Sequence, residues 1–256
     1  MNYSSAVTAS REVYDPYSQN TFRARVGLAH EFTEQLIGTV ALNGEFDHVD
    51  DEFGERDLVV ASLPSSLAYD GSDNRLEPTK GYRVKLAAEP FQEIRFGNTG
   101  VFTRLDASAY FSFDEDARTV VAVRGATGSI FGAPADELPA DRLFFAGGGG
   151  SVRGYAYRSL EPRVDGDIVG GRSLVEGSLE VRVKVTDTIG VVPFVDAGEA
   201  FESTVPNFSE EIKVGAGIGL RYYTGIGAIR LNLATPVNPD PGDPPFAFYI
   251  GLGESF

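Results

Sequence analysis

Cysteine and tryptophan are both missing from the chain, methionine occurs once, and the only histidines are His30 and His48. Without cysteine there is no disulfide scaffold and no thiolate metal site. Two histidines, both in the first fifth of the chain, leave little for imidazole chemistry. No window reads as about 18 consecutive apolar residues, which excludes a transmembrane helix but not barrel strands, whose signal is only alternation. Basic residues are in the minority, 22 Lys and Arg against 37 Asp and Glu for a formal charge of −15. That balance argues against a nucleic-acid partner, which needs basic surface. The N-terminus, Met1-Asn2-Tyr3-Ser4-Ser5, has neither a basic region nor an apolar run and is not a signal peptide. The expectation is therefore a cytosolic protein or a piece of something longer.

What the chain does contain is glycine (30), phenylalanine (18) and tyrosine (11), a composition that favours strands and turns over helices. Period-two alternation marks the strands. Val175, Gly177, Leu179, Val181, Val183 and Val185 share one face of 173–185, with Glu176, Ser178, Glu180, Arg182 and Lys184 on the other. Segments 212–223 and 229–233 alternate in the same way, and the terminal strand sets Phe246, Phe248, Ile250 and Leu252 against Ala247, Tyr249, Gly251 and Gly253. Upstream, 22–32, 36–46, 57–69, 81–89, 101–113, 118–131 and 189–201 read as strands, and 3–13 more weakly, giving twelve. Lengths of roughly nine to thirteen residues suit tilted membrane-spanning strands.

Short turns and long loops alternate in the last third: 186–188 and 224–225 are short, 202–211 and 236–245 long. Outer-membrane barrels have this habit. Arg23, Arg25, Glu45, Arg83, Lys85, Arg104, Asp106, Arg124, Glu180, Arg182, Lys184, Arg221 and Arg230 all fall on the faces opposite the apolar ones. A soluble sandwich with charged outer faces would show the same periodicity. Glycine and both charge signs on the polar face, together with the aromatic end Phe256, favour an all-β, transmembrane antiparallel barrel. The acids crowd into 45–57, 114–116, 136–141 and 199–211. They read either as solvated loops or as a rim bridged to lipopolysaccharide by divalent cations.

Enzyme signals are poor, and neither catalytic residues, metal nor cofactor are expected. Gly147 to Gly150 and Gly215 to Gly219 are not followed by the helical pattern that a phosphate loop needs. The run Phe144 to Tyr155 is more informative. Four consecutive glycines, Gly147 to Gly150, cannot be the interior of a regular element, and Ser151-Val152-Arg153-Gly154-Tyr155 follows at once. An arginine carried into a barrel lumen needs carboxylates of good geometry, and its planar fork suits bidentate pairing. Glu180 and Asp196 lie on inward faces downstream, with Phe194 beside Asp196. The other reading is an ordinary solvated arginine.

In order, Phe145 to Tyr155, Leu179-Glu180, Phe194-Val195-Asp196-Ala197-Gly198, and Gly217 to Arg221 leading to Gly227 to Leu231 resemble the C-terminal barrel of the TamA/BamA-type outer-membrane assembly proteins (bacterial surface antigen family). Pro78-Thr79-Lys80-Gly81-Tyr82 resembles that family's Pro-Thr-x-Gly turn, which would make 70–80 a periplasmic turn despite its length. The likeness is strong over 70–256 and weaker before. Ser159-Leu160-Glu161-Pro162-Arg163 and Val169-Gly170-Gly171-Arg172 look more like the TamA branch. The resemblance implies a loop motif of Gly147, Gly148, Val152, Arg153, Gly154 and Tyr155, on an extracellular loop of about 131–172, held in the lumen by Glu180, Phe194 and Asp196. It also implies sixteen strands preceded by POTRA domains and a signal peptide. Against that pattern the chain looks truncated, with four strands, the POTRA domains and the signal peptide expected to be absent. The expected function is insertion and folding of outer-membrane proteins such as autotransporters by strand templating at a terminal gate of Phe248, Gly251, Gly253 and Phe256. Expected partners are outer-membrane lipid and lipopolysaccharide, substrate outer-membrane proteins and a TamB-like inner-membrane-anchored protein. The alternatives are a two-partner-secretion-type polypeptide exporter and, from another class, a soluble all-β binding module.

Overall fold

Alternation becomes a curved antiparallel sheet whose apolar side faces out. A computed structural model describes residues 1–256 except Asp15, Glu161, Asp165, Gly166, Ser209, Glu210 and Ile226. The strands are β1 (Asn2–Tyr14), β2 (Tyr17–Glu31), β3 (Leu36–Asp51), β4 (Arg56–Ser62), β5 (Ser65–Asp70), β6 (Gly81–Glu93), β7 (Thr99–Ser112) and β8 (Thr119–Phe131), then a two-residue hairpin of β9 (Arg163–Val164) and β10 (Asp167–Ile168). They continue with β11 (Ser173–Lys184), β12 (Ile189–Phe201), β13 (Lys213–Thr224), β14 (Gly227–Pro236) and β15 (Ala247–Leu252). Thirteen of them form one sheet in chain order, with β4 and β5 sharing one place between β3 and β6. The register runs unbroken from Ser62 opposite Asn43 to Ser65 opposite Val40. Pro64, which has no N–H to give, interrupts the ladder without shifting it. The sheet therefore crosses the membrane twelve times.

The pleat sorts side chains by face. On β3, Ala41, Asn43, Glu45, Asp47 and Val49 are buried, while Leu42 and Phe46 between them are exposed. Ile250 on β15 is 81% exposed. An outer surface of exposed Phe, Leu, Ile and Val around a charged interior is the arrangement of a membrane barrel, and the reverse of a soluble sandwich.

Loops 132–172, 202–212 and 237–246 lie on one rim, and the turns 32–35, 113–118 and 185–188 on the other. The 71–80 segment also belongs to the turn rim and folds over the mouth. Its Glu77 forms an ion pair with Lys184 of β11. Asp73 holds its shape: Oδ1 accepts from the N–H groups of Thr79 at 2.9 Å and Lys80 at 3.0 Å, and Oδ2 from the Thr79 hydroxyl at 2.6 Å. Partial burial raises the Asp73 pKa, but these donors outweigh it and leave the carboxyl below its ordinary 3.8. A depressed folded-state pKa means the contribution is complete above the unfolded value and lost as pH falls through the folded one. Asp73→Asn is accordingly expected to raise amide exchange at Thr79 and Lys80 at neutral pH. The difference from the parent should narrow as pH falls through the lowered folded-state pKa of Asp73, where the parent carboxyl becomes neutral too.

The core lies inside the barrel. Leu138, Leu143, Phe144, Ala146, Val152, Tyr155 and Leu160 of the 132–172 loop pack on Val60, Phe91, Ile130, Leu174 and Ala200 of the wall. The loop is thus a plug with its own apolar contacts. At the chain ends, among the described residues, β1 pairs only with β2 and β15 only with β14, the latter over six residue pairs.

Candidate functional site

Glycine geometry turns the loop tip into the lumen. Gly147, Gly148 and Gly154 have φ of 96°, 93° and 109°, a region that side-chain-bearing residues avoid. The motif backbone also lies close against β13 and β14. A Cβ on Gly215 would collide with the Arg153 carbonyl oxygen, and one on Gly154 would come within 2.8 Å of the Thr235 carbonyl carbon. Val152 and Tyr155 are buried. The Tyr155 hydroxyl donates within reach of Val214 O and Asn238 O, both at 3.2 Å, and Asn238 Oδ1 at 3.0 Å.

Arg153 is 2% exposed and its guanidinium is fully engaged. Nε and Nη2 donate side-on to Asp196 Oδ2 at 2.6 Å and Oδ1 at 2.8 Å, Nη1 donates to Glu180 Oε1 at 2.8 Å, and its own backbone N–H reaches Asp196 Oδ2 at 3.1 Å. The guanidinium carbon lies 3.5 Å above the Phe194 ring centroid. Glu180, Phe194 and Asp196 therefore converge on one arginine because alternate residues of β11 and β12 point inward and Glu180 stands opposite Phe194 in the register. Breaking such a buried pair from one side costs about 3–5 kcal/mol.

Further contacts are absent from any local sequence pattern. Tyr249 of β15 accepts from the Gly154 N–H and donates to the Tyr155 carbonyl, both at 3.1 Å, tying the motif to the last strand. The far end of the plug has its own anchor. Arg142 donates to Glu45 Oε1 at 2.6 Å and Glu89 Oε1 at 2.8 Å, and Arg23 bridges Glu45 at 2.5 Å and Asp141 at 2.9 Å. The loop thus spans the lumen from the β3–β6 wall to the β11–β12 wall. Arg158 is held by rings rather than acids: Tyr14, Phe145, Tyr17 and Tyr157 lie 4.4, 4.8, 5.4 and 5.4 Å from its guanidinium carbon. The signal available for these was a loop arginine facing inward acids or tyrosines, with nothing in the spacing to choose among them.

Two expectations need correction. The 45–57 and 136–141 acids are not wholly a rim, because Glu45 and Asp47 are buried in the lumen and Asp141 pairs with Arg23. In the 199–211 group Glu199 is buried as well, and Glu210 lies outside the described residues. The terminal positions also divide. Phe248 faces outward and Gly251 backs onto Arg230. Gly253 and Phe256 lie beyond the strand, because Gly253, at φ 75°, makes the last ladder bond to Ala228 O at 2.7 Å and then turns inward. Phe256 packs within the barrel near Tyr110, Val120 and Ala122.

The whole chain, residues 1–256, matches the Omp85 superfamily domain. A curated relative is the outer membrane protein assembly factor BamA of Nitratidesulfovibrio vulgaris (strain Hildenborough), 26% identical over 247 residues, covering 90% of this chain and 31% of that protein. The chain therefore spans about a third of that relative's length. Among solved structures, BamA of Haemophilus ducreyi lacking POTRA domains 1–3 superposes with a TM-score of 0.77 at 20% identity, covering 96% of this chain and 56% of the other. CdiB of Escherichia coli does so at 0.59 and 15% identity, covering 97% and 48%.

Proposed function

Because this chain belongs to the Omp85 superfamily and folds as an outer-membrane β-barrel, we propose that it inserts and folds other outer-membrane β-barrel proteins, autotransporters in particular. It does so by offering the edge of β15 that lies away from β14 to an incoming strand. The observation that carries this reading is the hold on β15: six residue pairs to β14 on one side and Tyr249 to the Arg153 loop in the lumen. An unpaired edge presents N–H and C=O groups that an extended segment can complete. The loop keeps that edge in place from inside while the ladder to β14 remains short. No covalent step is involved.

The loop rim faces the cell exterior and lipopolysaccharide, and the turn rim faces the periplasm. A TamB-like partner and autotransporter clients follow the TamA-like run at Val169 to Arg172 and the one at 159–163, of which Glu161 lies outside the described residues. Export of polypeptide through the lumen, as in two-partner secretion, would first require the plug to lose both its Arg142 and Arg153 anchors.

Leu231 faces Ile250 across β14 and β15, and the chain has no cysteine of its own. In proteoliposomes, L231C/I250C is expected to slow folding of an added urea-denatured autotransporter barrel when oxidised and to recover on reduction. Equal rates in both redox states would refute templating that needs the short β14–β15 ladder to give.

A further inference from the structure

Four guanidiniums meet near the end of β15, those of Arg153, Arg182, Arg221 and Arg230, facing three carboxylates, Glu180, Asp196 and Glu254. Glu180 and Asp196 belong to the wall. Glu254 is carried on the segment that Gly253 turns inward. Its Oε2 accepts from Arg221 Nε at 3.0 Å and stands 3.5 Å from Arg182 Nε, and its carbonyl oxygen accepts from Arg230 Nη1 at 2.6 Å. Arg182 Nη2 reaches the Phe256 carbonyl at 3.2 Å, and Arg153 Nη1 the Ser255 hydroxyl at 3.3 Å.

The fit is incomplete. Arg182 Nη1, Arg221 Nη2 and Glu254 Oε1 are all buried without a hydrogen-bond partner, Arg221 Nη2 standing 3.8 Å from Glu180 Oε1, and the Arg221 side chain is fully enclosed. Buried donors and acceptors are normally paired, so three orphans at one contact mark an occupant that uses only part of what the site offers. Room for the guanidiniums is made by glycine. A Cβ on Gly219 would stand 2.5 Å from Arg221 Nη1, and one on Gly251 would stand 2.6 Å from Arg230 Nε.

We propose that Arg182, Arg221 and Arg230 form a carboxylate-binding site for an acidic side chain of an entering polypeptide, and that Glu254 is its resident occupant, displaced when that segment arrives. Arginine cannot shed its charge. When Glu254 leaves, four cations face two anions inside the barrel, and a second carboxylate with bidentate geometry satisfies the orphaned donors better than the single Oε2 contact does. Departure of the tail is thereby coupled to arrival of an acid. The inference rests on β15 being the strand with which an incoming segment pairs. The test reads the position of the tail rather than assembly, so the two can fail separately.

The chain has no tryptophan, so F256W places a single indole at the end of the tail, beside Tyr110, Val120 and Ala122. In the full chain folded in detergent, its emission and acrylamide quenching report whether the tail is in or out. The peptide acetyl-Gly-Glu-Ser-Phe is expected to release the indole at a concentration about tenfold lower than acetyl-Gly-Gln-Ser-Phe, as the loss of a charge-assisted hydrogen bond implies. E254Q in the same background should release it without peptide. R221Q, or R230Q if R221Q does not show heat-modifiable mobility, should abolish the difference between the peptides. Equal potency of the two peptides, no release by either, or an E254Q indole as shielded as that of F256W alone would each overturn the proposal.

Discussion

Arg153→Lys is expected to free the loop from the lumen even though it keeps the charge. Lysine offers a point charge where Asp196 and Glu180 now receive three donors from a planar fork. It also loses the flat cation 3.5 Å over Phe194. Glu180 would keep Arg182 Nε at 3.0 Å, but the buried Asp196 would be left with a single ammonium in place of its two-pronged fork. The loss should approach that of removing one side of a buried pair, about 3 kcal/mol or more, with Arg153→Ala at the upper end. Cleavage of a transiently opened loop follows the population of the open form. Since about 1.4 kcal/mol is tenfold, trypsin should cut within 132–172 on the order of a hundredfold faster in Arg153→Lys than in the parent. The freed loop should also release Tyr249, so the β14–β15 amides should exchange faster in the same variant.

Gly215→Ala should have an effect of similar size from a single methyl group. The added Cβ would overlap the Arg153 carbonyl oxygen, an atom of the backbone with no rotamer to escape into. Overpacking of this kind costs about 1–3 kcal/mol where the surroundings can adjust. Here the adjustment must lift the motif off β13 and so lengthen the fork to Asp196. Gly177→Ala is the control: its nearest neighbour, the Arg124 carbonyl oxygen, is 3.8 Å away, and replacing glycine where the space is open is neutral or mildly stabilising. Gly215→Ala should therefore lower the urea midpoint in detergent and expose the loop to protease, while Gly177→Ala leaves both close to the parent. A Gly215→Ala barrel with a parent-like midpoint would mean that the loop does not rest on β13.

Strands were legible because period two survives in a wall whose two faces meet different solvents. Even β1, whose side chains are nearly all exposed, keeps enough alternation to be found. Sidedness was not legible from periodicity, since a sandwich and a barrel write the same pattern. It took the exposed Leu42 and Phe46 beside the buried Glu45 to separate them. The geometry of Arg153 was accessible because its acids sit at fixed pleat positions on the next two strands. Arg142 and Arg158 were not accessible, since their wall partners Glu45, Glu89, Tyr14 and Tyr17 lie about 50 to 145 residues away and depend on how the plug crosses the lumen. The tail misled for a definable reason. Phe256 after an alternating strand reads as the strand's aromatic end and part of its gate, whereas positive φ at Gly253 redirects the last residues inward. A glycine in a strand pattern signals weak pairing and a turn equally well.

The double-mutant cycle on Arg153→Ala and Asp196→Ala, followed by urea unfolding of the full chain in detergent, tests the anchored loop most directly. Each single variant leaves a buried charge without its fork, and the double variant leaves neither. The account predicts that the two losses are strongly non-additive, with a coupling of about 2 kcal/mol or more. Losses that add to within about 0.5 kcal/mol would mean that the two side chains act independently, and would contradict it.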